Sequence, residues 1–272
     1  MKVLRSGLIL ISLLILSIFT QHSPINADQS KSNKSGNVKV PDSVLDISKE
    51  NTYPNPTQDL PYLQPSDLTK ELLETSDVPI ENPDLIRILN ESSINTTPTA
   101  IGYRATIYLG QWPLSYESTE TNINWEYKPA NTNKYDNRGG KTPYKFHYLQ
   151  EQESVIKGGL TSRINNAEEV QKMMMLTAMK KTELPLAFDT VIGQGTKKEQ
   201  VYNIAPKKLG YLYAYAPAVN EKGKVTFGEV YLELKGSKAK LKVKNVTQQG
   251  IGAWIPVQDH LSFKFITADT PR

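Results

Sequence analysis

The sequence predicts an α+β fold: strand-rich, with a largely antiparallel sheet, one packed helix and an N-terminal helical segment. Three observations carry this. In the C-terminal third, Leu241 and Val243 alternate with Lys240, Lys242 and Lys244, the period of a strand with one covered and one wet face. Around residues 166–181, Asn166 reads as a cap, Glu168 and Glu169 stand at the start, and Lys180 and Lys181 at the end. Each charge suits the helix dipole. Between residues 66 and 89 lie two shorter helical patterns.

Taken in chain order, Ser66-Asp67 after Pro65 starts the first short helix, with Leu68, Leu72 and Leu73 on one face. Asn82-Pro83 starts the second, with Asn as N-cap and Pro at the first helical position. Leu85, Ile86, Ile88 and Leu89 make its buried stripe. From residue 100 the pattern turns to strand. Residues 103–109, 112–117 and 124–128 are rich in aromatic and β-branched side chains. Asn137-Arg138-Gly139-Gly140 reads as a turn or exposed loop. Tyr144, Phe146 and Tyr148 alternate with Lys145 and His147, again at strand period.

The longer helix buries Val170, Met173, Met174, Leu176 and Met179. Core packing explains these methionines better than an adaptable binding groove. Residues 210–217 form a tyrosine-rich strand. Asn220-Glu221-Lys222-Gly223 reads as a hairpin turn. Val225, Phe227, Val230, Leu232 and Leu234 face inward, and the phase slip at Gly228 marks a bulge. Gly236-Ser237-Lys238 turns again. Leu261, Phe263 and Phe265 alternate with Ser262 and Lys264.

The first 27 residues stand apart. Lys2 and Arg5 precede an almost unbroken apolar run over residues 7–20. Cations, then an apolar core, then the small Ala27, is the order of a secretory signal, and the run is shorter than the ~20 residues of a full span. Ile25 is large for its place in a cleavage site, so an uncleaved N-terminal anchor is the alternative. Either way the expected setting is extracytoplasmic, with the protein secreted or anchored to the cytoplasmic membrane by its N-terminus. Residues 28–64 read as a polar and proline-rich tether, in which Pro54, Pro56 and Pro61 forbid helix and central strand, so that the stretch 51–65 is an extended segment lying over the domain or leading into it. Residues 65–272 read as a single α+β domain.

Composition excludes several chemistries. There is no cysteine, which rules out disulfides, thiolate catalysis, Cys-ligated zinc, iron–sulfur clusters and a lipoprotein anchor. His147 and His260 are isolated outside the leader and lack a His-Glu-x-x-His arrangement, so no metal or cofactor is expected. Asp259 beside His260 is not accompanied by a nucleophile elbow. Gly193-Gln194-Gly195-Thr196-Lys197-Lys198 has the composition of a phosphate loop but not its spacing. The formal charge is +4 and the pI about 8.9. Lys2 and Arg5 belong to the leader, so about +2 remains without it, and solubilising surface charge explains that better than contact with anionic surfaces such as wall polymers or lipid. No dense basic run is interleaved with aromatics, so nucleic-acid binding is not expected.

Two candidate sites remain. Glu117, Glu120 and Glu126 lie among Trp112, Tyr116, Trp125 and Tyr127. Paired carboxylates beside sugar-stacking aromatics are the equipment of a glycosidase. The second candidate is a binding surface made by Trp112, Trp125, Tyr127 and Arg138, because Trp and Arg join a large contact area to a polar handle.

The stretches ISKENTYPNPTQDLPYLQPSDLTKELLE (47–74), RATIYLGQWPLSYESTETNINWEY (104–127), DNRGGKTP (136–143) and VKNVTQQGIGAWIPVQDHLSFKF (243–265) resemble the YfkD-like family of exported proteins from spore-forming bacilli. The resemblance covers nearly all of the chain after the leader. It implies an extracytoplasmic setting and a link to the cell or spore envelope, and carries over no activity, cofactor or catalytic residue. The function expected on these grounds is that of an exported, non-catalytic envelope protein that binds a wall, membrane or protein partner, touching the membrane only through its N-terminal segment. The alternative is a wall-glycan hydrolase using paired carboxylates.

Overall fold

The computed structural model describes residues 38–53, 55, 64–92, 102 and 104–272. The leader, the polar stretch 28–37 and most of the proline-rich stretch lie outside the described residues. In chain order the elements are β1 (Val44–Asp46), α1 (Asp67–Leu73), α2 (Pro83–Glu91), β2 (Arg104–Asp136), β3 (Tyr144–Leu149), β4 (Ser154–Lys157), β5 (Gly159–Leu160), α3 (Ala167–Thr182), β6 (Asp189–Ile192), β7 (Lys197–Ile204), β8 (Leu209–Lys235), β9 (Lys238–Pro256) and β10 (His260–Ala268). The protein is strand-rich, with three helices among the described residues, and its strand pairs are antiparallel.

The long strand β8 organises the sheet. Along one side it pairs with β2 throughout. On its other side the first half pairs with β10 and the second half with β9. β1 extends the sheet beyond β10, and β5 extends it beyond β9. β2 and β8 run to 33 and 27 residues, against a usual ~5–6. The β2 register slips at five places along this pairing, each bulge bending the ribbon and increasing its local twist, so that the long pair coils instead of running straight. Gly110 sits next to the first slip at φ 113, a conformation that suits glycine.

The core changes faces along β8. Leu212, Ala214 and Ala216 pack with Phe146, Tyr148, Ile156, Ile192 and Ile204 of the small β3–β7 and β4–β6 pairs. Val219, Val225 and Phe227 pack instead with Val170, Met173 and Met174 of α3. Alternate residues of a strand point to opposite faces, so hairpins cover one face of the first half and a helix covers the other face of the second. Leu72, Leu85 and Leu89 of α1 and α2 then close over Leu114, Val230, Leu232 and Leu241. The inward phase slips where β9 carries an extra residue opposite Gly228, as the sequence pattern indicates. Each wholly buried Val, Leu or Met contributes about 1.5–3 kcal/mol.

The helix starts follow their cap chemistry. Ser66 accepts from the Thr69 amide, and Asn82 accepts from the amides of Asp84 and Leu85. Asn82 is wholly buried and also donates to the Pro113 carbonyl at 2.7 Å, which ties α2 to β2. α3 differs from expectation at its start. Asn166 holds φ 52 and makes no side-chain cap bond, so the acidic first turn and the buried stripe define that helix without it. Met175 is buried in α3 while Leu176 is half-buried, and Ile88 of α2 is 38% exposed.

Three expected features take other forms. Residues 220–223 are not a turn but the middle of β8, and Glu221 is wholly buried. Its carboxyl accepts from the Tyr116 hydroxyl at 3.0 Å and the Thr121 hydroxyl at 2.7 Å; partners about 100 residues away satisfy it, so the chain has no need to turn it to water. The three strands expected between residues 103 and 128 are one strand, because bulges bridge the apparent breaks. Within 28–64, part of the stretch is docked rather than tethered. Val44–Asp46 pairs with His260–Ser262, Ile47 is wholly buried, and Asn51 and Asn55 both donate to Asp259.

Candidate functional site

The aromatic and cationic residues singled out from the sequence do not share a place. Trp112 is half-buried over the α1–α2 core, its indole N–H donating to the Leu109 carbonyl at 2.9 Å. Trp125 is half-buried against the α3 core. Tyr127 stacks on Trp254 with ring centres 5.0 Å apart. Arg138 lies beyond the end of β2 and is exposed. Trp125 and Tyr127 are near neighbours, but Trp112 and Arg138 are each roughly 40 Å of strand away, at about 3.3 Å per residue. Arg138 is engaged by Asp136, its Nη2 lying 2.7 Å from the Asp136 carboxylate. Hydrogen bonds from its guanidinium and amide hold that carboxyl at about 2.

The acids do not assemble either. Glu117, Glu120 and Glu126 are all exposed. Glu120 pairs with Lys222 at 2.9 Å and Glu126 with Lys264 at 3.4 Å, while Glu117 stands opposite Lys224 in the β2–β8 register. A cavity of about 540 Å³ opens beside the start of α3, lined by residues such as Ser162, Arg163 and Gln249, and holds none of these acids. His260 contacts the Gln258 carbonyl through Nδ1 at 2.7 Å. Among the described residues no group of three His, Asp or Glu could hold a metal ion, and no helix is long and apolar enough to cross a membrane.

What the register does assemble is a basic face at the β8–β9 turn. Residues directly opposite in an antiparallel pair share a face. The wet face there is built in rows across β2, β8 and β9: Arg104, Lys235 and Lys238; Thr106, Glu233 and Lys240; Tyr108, Tyr231 and Lys242; Gln111, Glu229 and Lys244. The opposite face of the same strands carries Val230, Leu232 and Leu241 under α1 and α2, which fixes the polar residues outward. This patch holds six cations and two carboxylates. Its excess is four positive charges, and the formal net charge of +4 for the whole chain includes Lys2 and Arg5 of the leader.

The patch has internal order. Tyr108 and Tyr231 lie 5.1 Å apart, and the Lys244 ammonium sits 4.5 Å from the centre of the Tyr231 ring. The Tyr231 hydroxyl donates to Glu229 at 2.8 Å, and that bond leads the interactions holding the Glu229 carboxyl below its usual range. Glu233 lies 3.6 Å from Lys242. Lys238, Lys240, Lys242 and Lys244 are exposed along β9, spaced at strand period. The signal in the sequence is five lysines without an acid between residues 235 and 244. Alone it reads as the wet side of a strand; only the pairing with β2 and β8 adds Arg104 and the two tyrosines.

A model of the YfkD-like protein family matches residues 41–272. A protein of Bacillus subtilis (strain 168), named as uncharacterized protein YfkD, is 64% identical over 263 residues, which make up 97% of each chain.

Proposed function

This chain belongs to the YfkD-like family, and we propose that it is an exported, non-catalytic protein of the cell envelope that engages an anionic partner through its basic sheet face. The observation that carries the binding reading is one ordered face on which six cations stand against two carboxylates, with two tyrosines inside it. Scattered solubilising lysines would leave no such face. Export is supported by the n-region Lys2 and Arg5 and the apolar run after them. The leader serves as a signal or as an N-terminal anchor, and in both cases the domain works outside the cytoplasmic membrane.

The test has two arms. A reporter enzyme active only outside the membrane, fused after Arg272, is active. The protein also cosediments with purified envelope material, and added salt releases it. Activity confined to a cytoplasmic reporter, or no association with envelope, overturns the proposal.

A further inference from the structure

We infer that the lysine row of β9 is a binding track for a linear phosphodiester polymer of the envelope. This rests on the reading above and names its ligand. Lys238, Lys240, Lys242 and Lys244 project from one side of β9. Side chains two residues apart on a strand recur about every 6.7 Å, so the four ammonium groups form a file of point charges. That is the scale of one repeat in a chain of phosphates joined by short polyol units. Lysine suits such a ligand, because its compact ammonium meets single phosphate oxygens without demanding the flat two-point geometry that favours arginine.

The neighbouring rows choose a thread over a plane. On β8, beside the lysine file, stand Glu229 and Glu233. A flat anionic membrane would lie over both carboxylates. A thread along β9 meets the lysines and passes beside the acids. The Tyr231 ring, with Lys244 above it and Tyr108 against it, gives the carbon backbone of the polymer an apolar flank. Glu229 is held by the Tyr231 hydroxyl. The other exposed lysines of β8, Lys222 and Lys224, do not compete for the polymer, since they lie on the opposite face of the sheet and stand opposite Glu120 and Glu117 there.

The experiment uses full-length protein in mild detergent and a fluorescent synthetic poly(glycerol phosphate). Vesicles of phosphatidylglycerol and phosphatidylcholine, and polyglutamate, are the comparison ligands. Replacing the four lysines together (Lys238→Gln, Lys240→Gln, Lys242→Gln, Lys244→Gln) weakens polymer binding about thirtyfold, as the loss of four exposed charge contacts implies. The same charge removed elsewhere, by Lys39→Gln, Lys141→Gln, Lys145→Gln and Lys197→Gln, changes binding less than about twofold. Glu233→Gln, which releases Lys242 from its carboxylate, tightens binding, a gain that misfolding cannot produce. The inference is overturned if the β9 variant binds like the parent, if Glu233→Gln does not tighten binding, or if vesicles or polyglutamate bind as well as the polymer. If the parent fails to bind whole envelope, the function proposed above fails instead.

Discussion

The Tyr116 hydroxyl donates to the Glu221 carboxyl across 3.0 Å, joining β2 to β8 inside the core beneath α3. Thr121 donates to the other carboxyl oxygen at 2.7 Å and lies 3.3 Å from the Ser118 hydroxyl, which accepts from Lys181 at 2.7 Å. A line of polar contacts therefore runs from the α3 surface to a wholly buried acid. It fixes the β2–β8 register at a point where Glu221 would otherwise face apolar side chains.

Removing one partner should expose what the contact supplies. Tyr116→Phe leaves one carboxyl oxygen without its donor and costs about 1–3 kcal/mol. Urea unfolding at neutral pH measures it. An unchanged midpoint would show that the buried carboxyl is satisfied without Tyr116.

Alkaline pH should unfold the protein through its buried phenols. Burial and the neighbouring Glu221 charge raise the Tyr116 pKa, and burial raises that of Tyr148. In the unfolded chain both titrate near pH 10. Below that value both states keep their protons and these groups add no slope. Above it the unfolded chain releases protons that the folded one retains, so stability falls as pH rises. Urea midpoints from pH 8 to 11 should hold level and then drop. Tyr148→Phe should flatten the drop, and an equally steep loss in that variant would assign the effect to other groups.

How much of this was legible in the sequence depends on where each residue finds its partner. Ser66 and Asn82 bond to amides two or three positions on, so both helix starts could be read locally. The Gly228 slip showed as a change in apolar phase. The burial of Glu221 is not legible because the tyrosine and threonine that satisfy it lie on another strand, and a polar run closing on Gly223 has the composition of a turn. For the stretch around Asn51 and Asn55 an extended path over the domain is legible from its prolines, but its anchor is not, since its amides bond to Asp259 more than two hundred positions away. The basic face was half legible: its lysines are a local pattern, but Arg104 and Tyr108 reach it only through the register.

Asn55 offers a direct check on the docking of that N-terminal stretch. Its amide donates to Asp259 at 2.7 Å, and its carbonyl accepts from the Thr190 hydroxyl and the Val191 amide, each at 2.8 Å. Asn55→Ala removes all three at a buried site and should cost about 2–3 kcal/mol. Proteolysis within residues 38–55 should quicken as well. Unchanged stability and cleavage would mean that the stretch is held without this side chain.

Arg138 should matter to Asp136 and to little else. In Arg138→Ala the Asp136 carboxyl loses the guanidinium hydrogen bonds, and its pKa rises from about 2 toward the ordinary value near 3.9. A carboxyl depressed in the folded state stabilises above its unfolded pKa and loses that effect as pH falls toward the folded one. The melting temperature at pH 7 should barely move, since the pair is solvent-exposed. NMR titration of the Asp136 carboxyl carbon reads the shift directly, and an unmoved titration would sever the pair.

Trp125 separates packing from recognition. Its ring lies half-buried against the cluster formed by α3, Val219, Val225 and Ile255. A wholly buried tryptophan costs about 3–5 kcal/mol when cut to alanine, and a half-buried one leaves a smaller void, so Trp125→Ala should cost about 2 kcal/mol. Trp125→Phe, which keeps a ring over the same cluster, should recover most of that. Neither change should alter association with envelope material, because Trp125 lies outside the basic face assembled by Arg104, Tyr108, Tyr231 and the β9 lysines. Thermal unfolding and envelope cosedimentation of the same two variants decide the matter. A loss of binding with an unmoved melting temperature would transfer the binding role from the lysine file to the centre of β2.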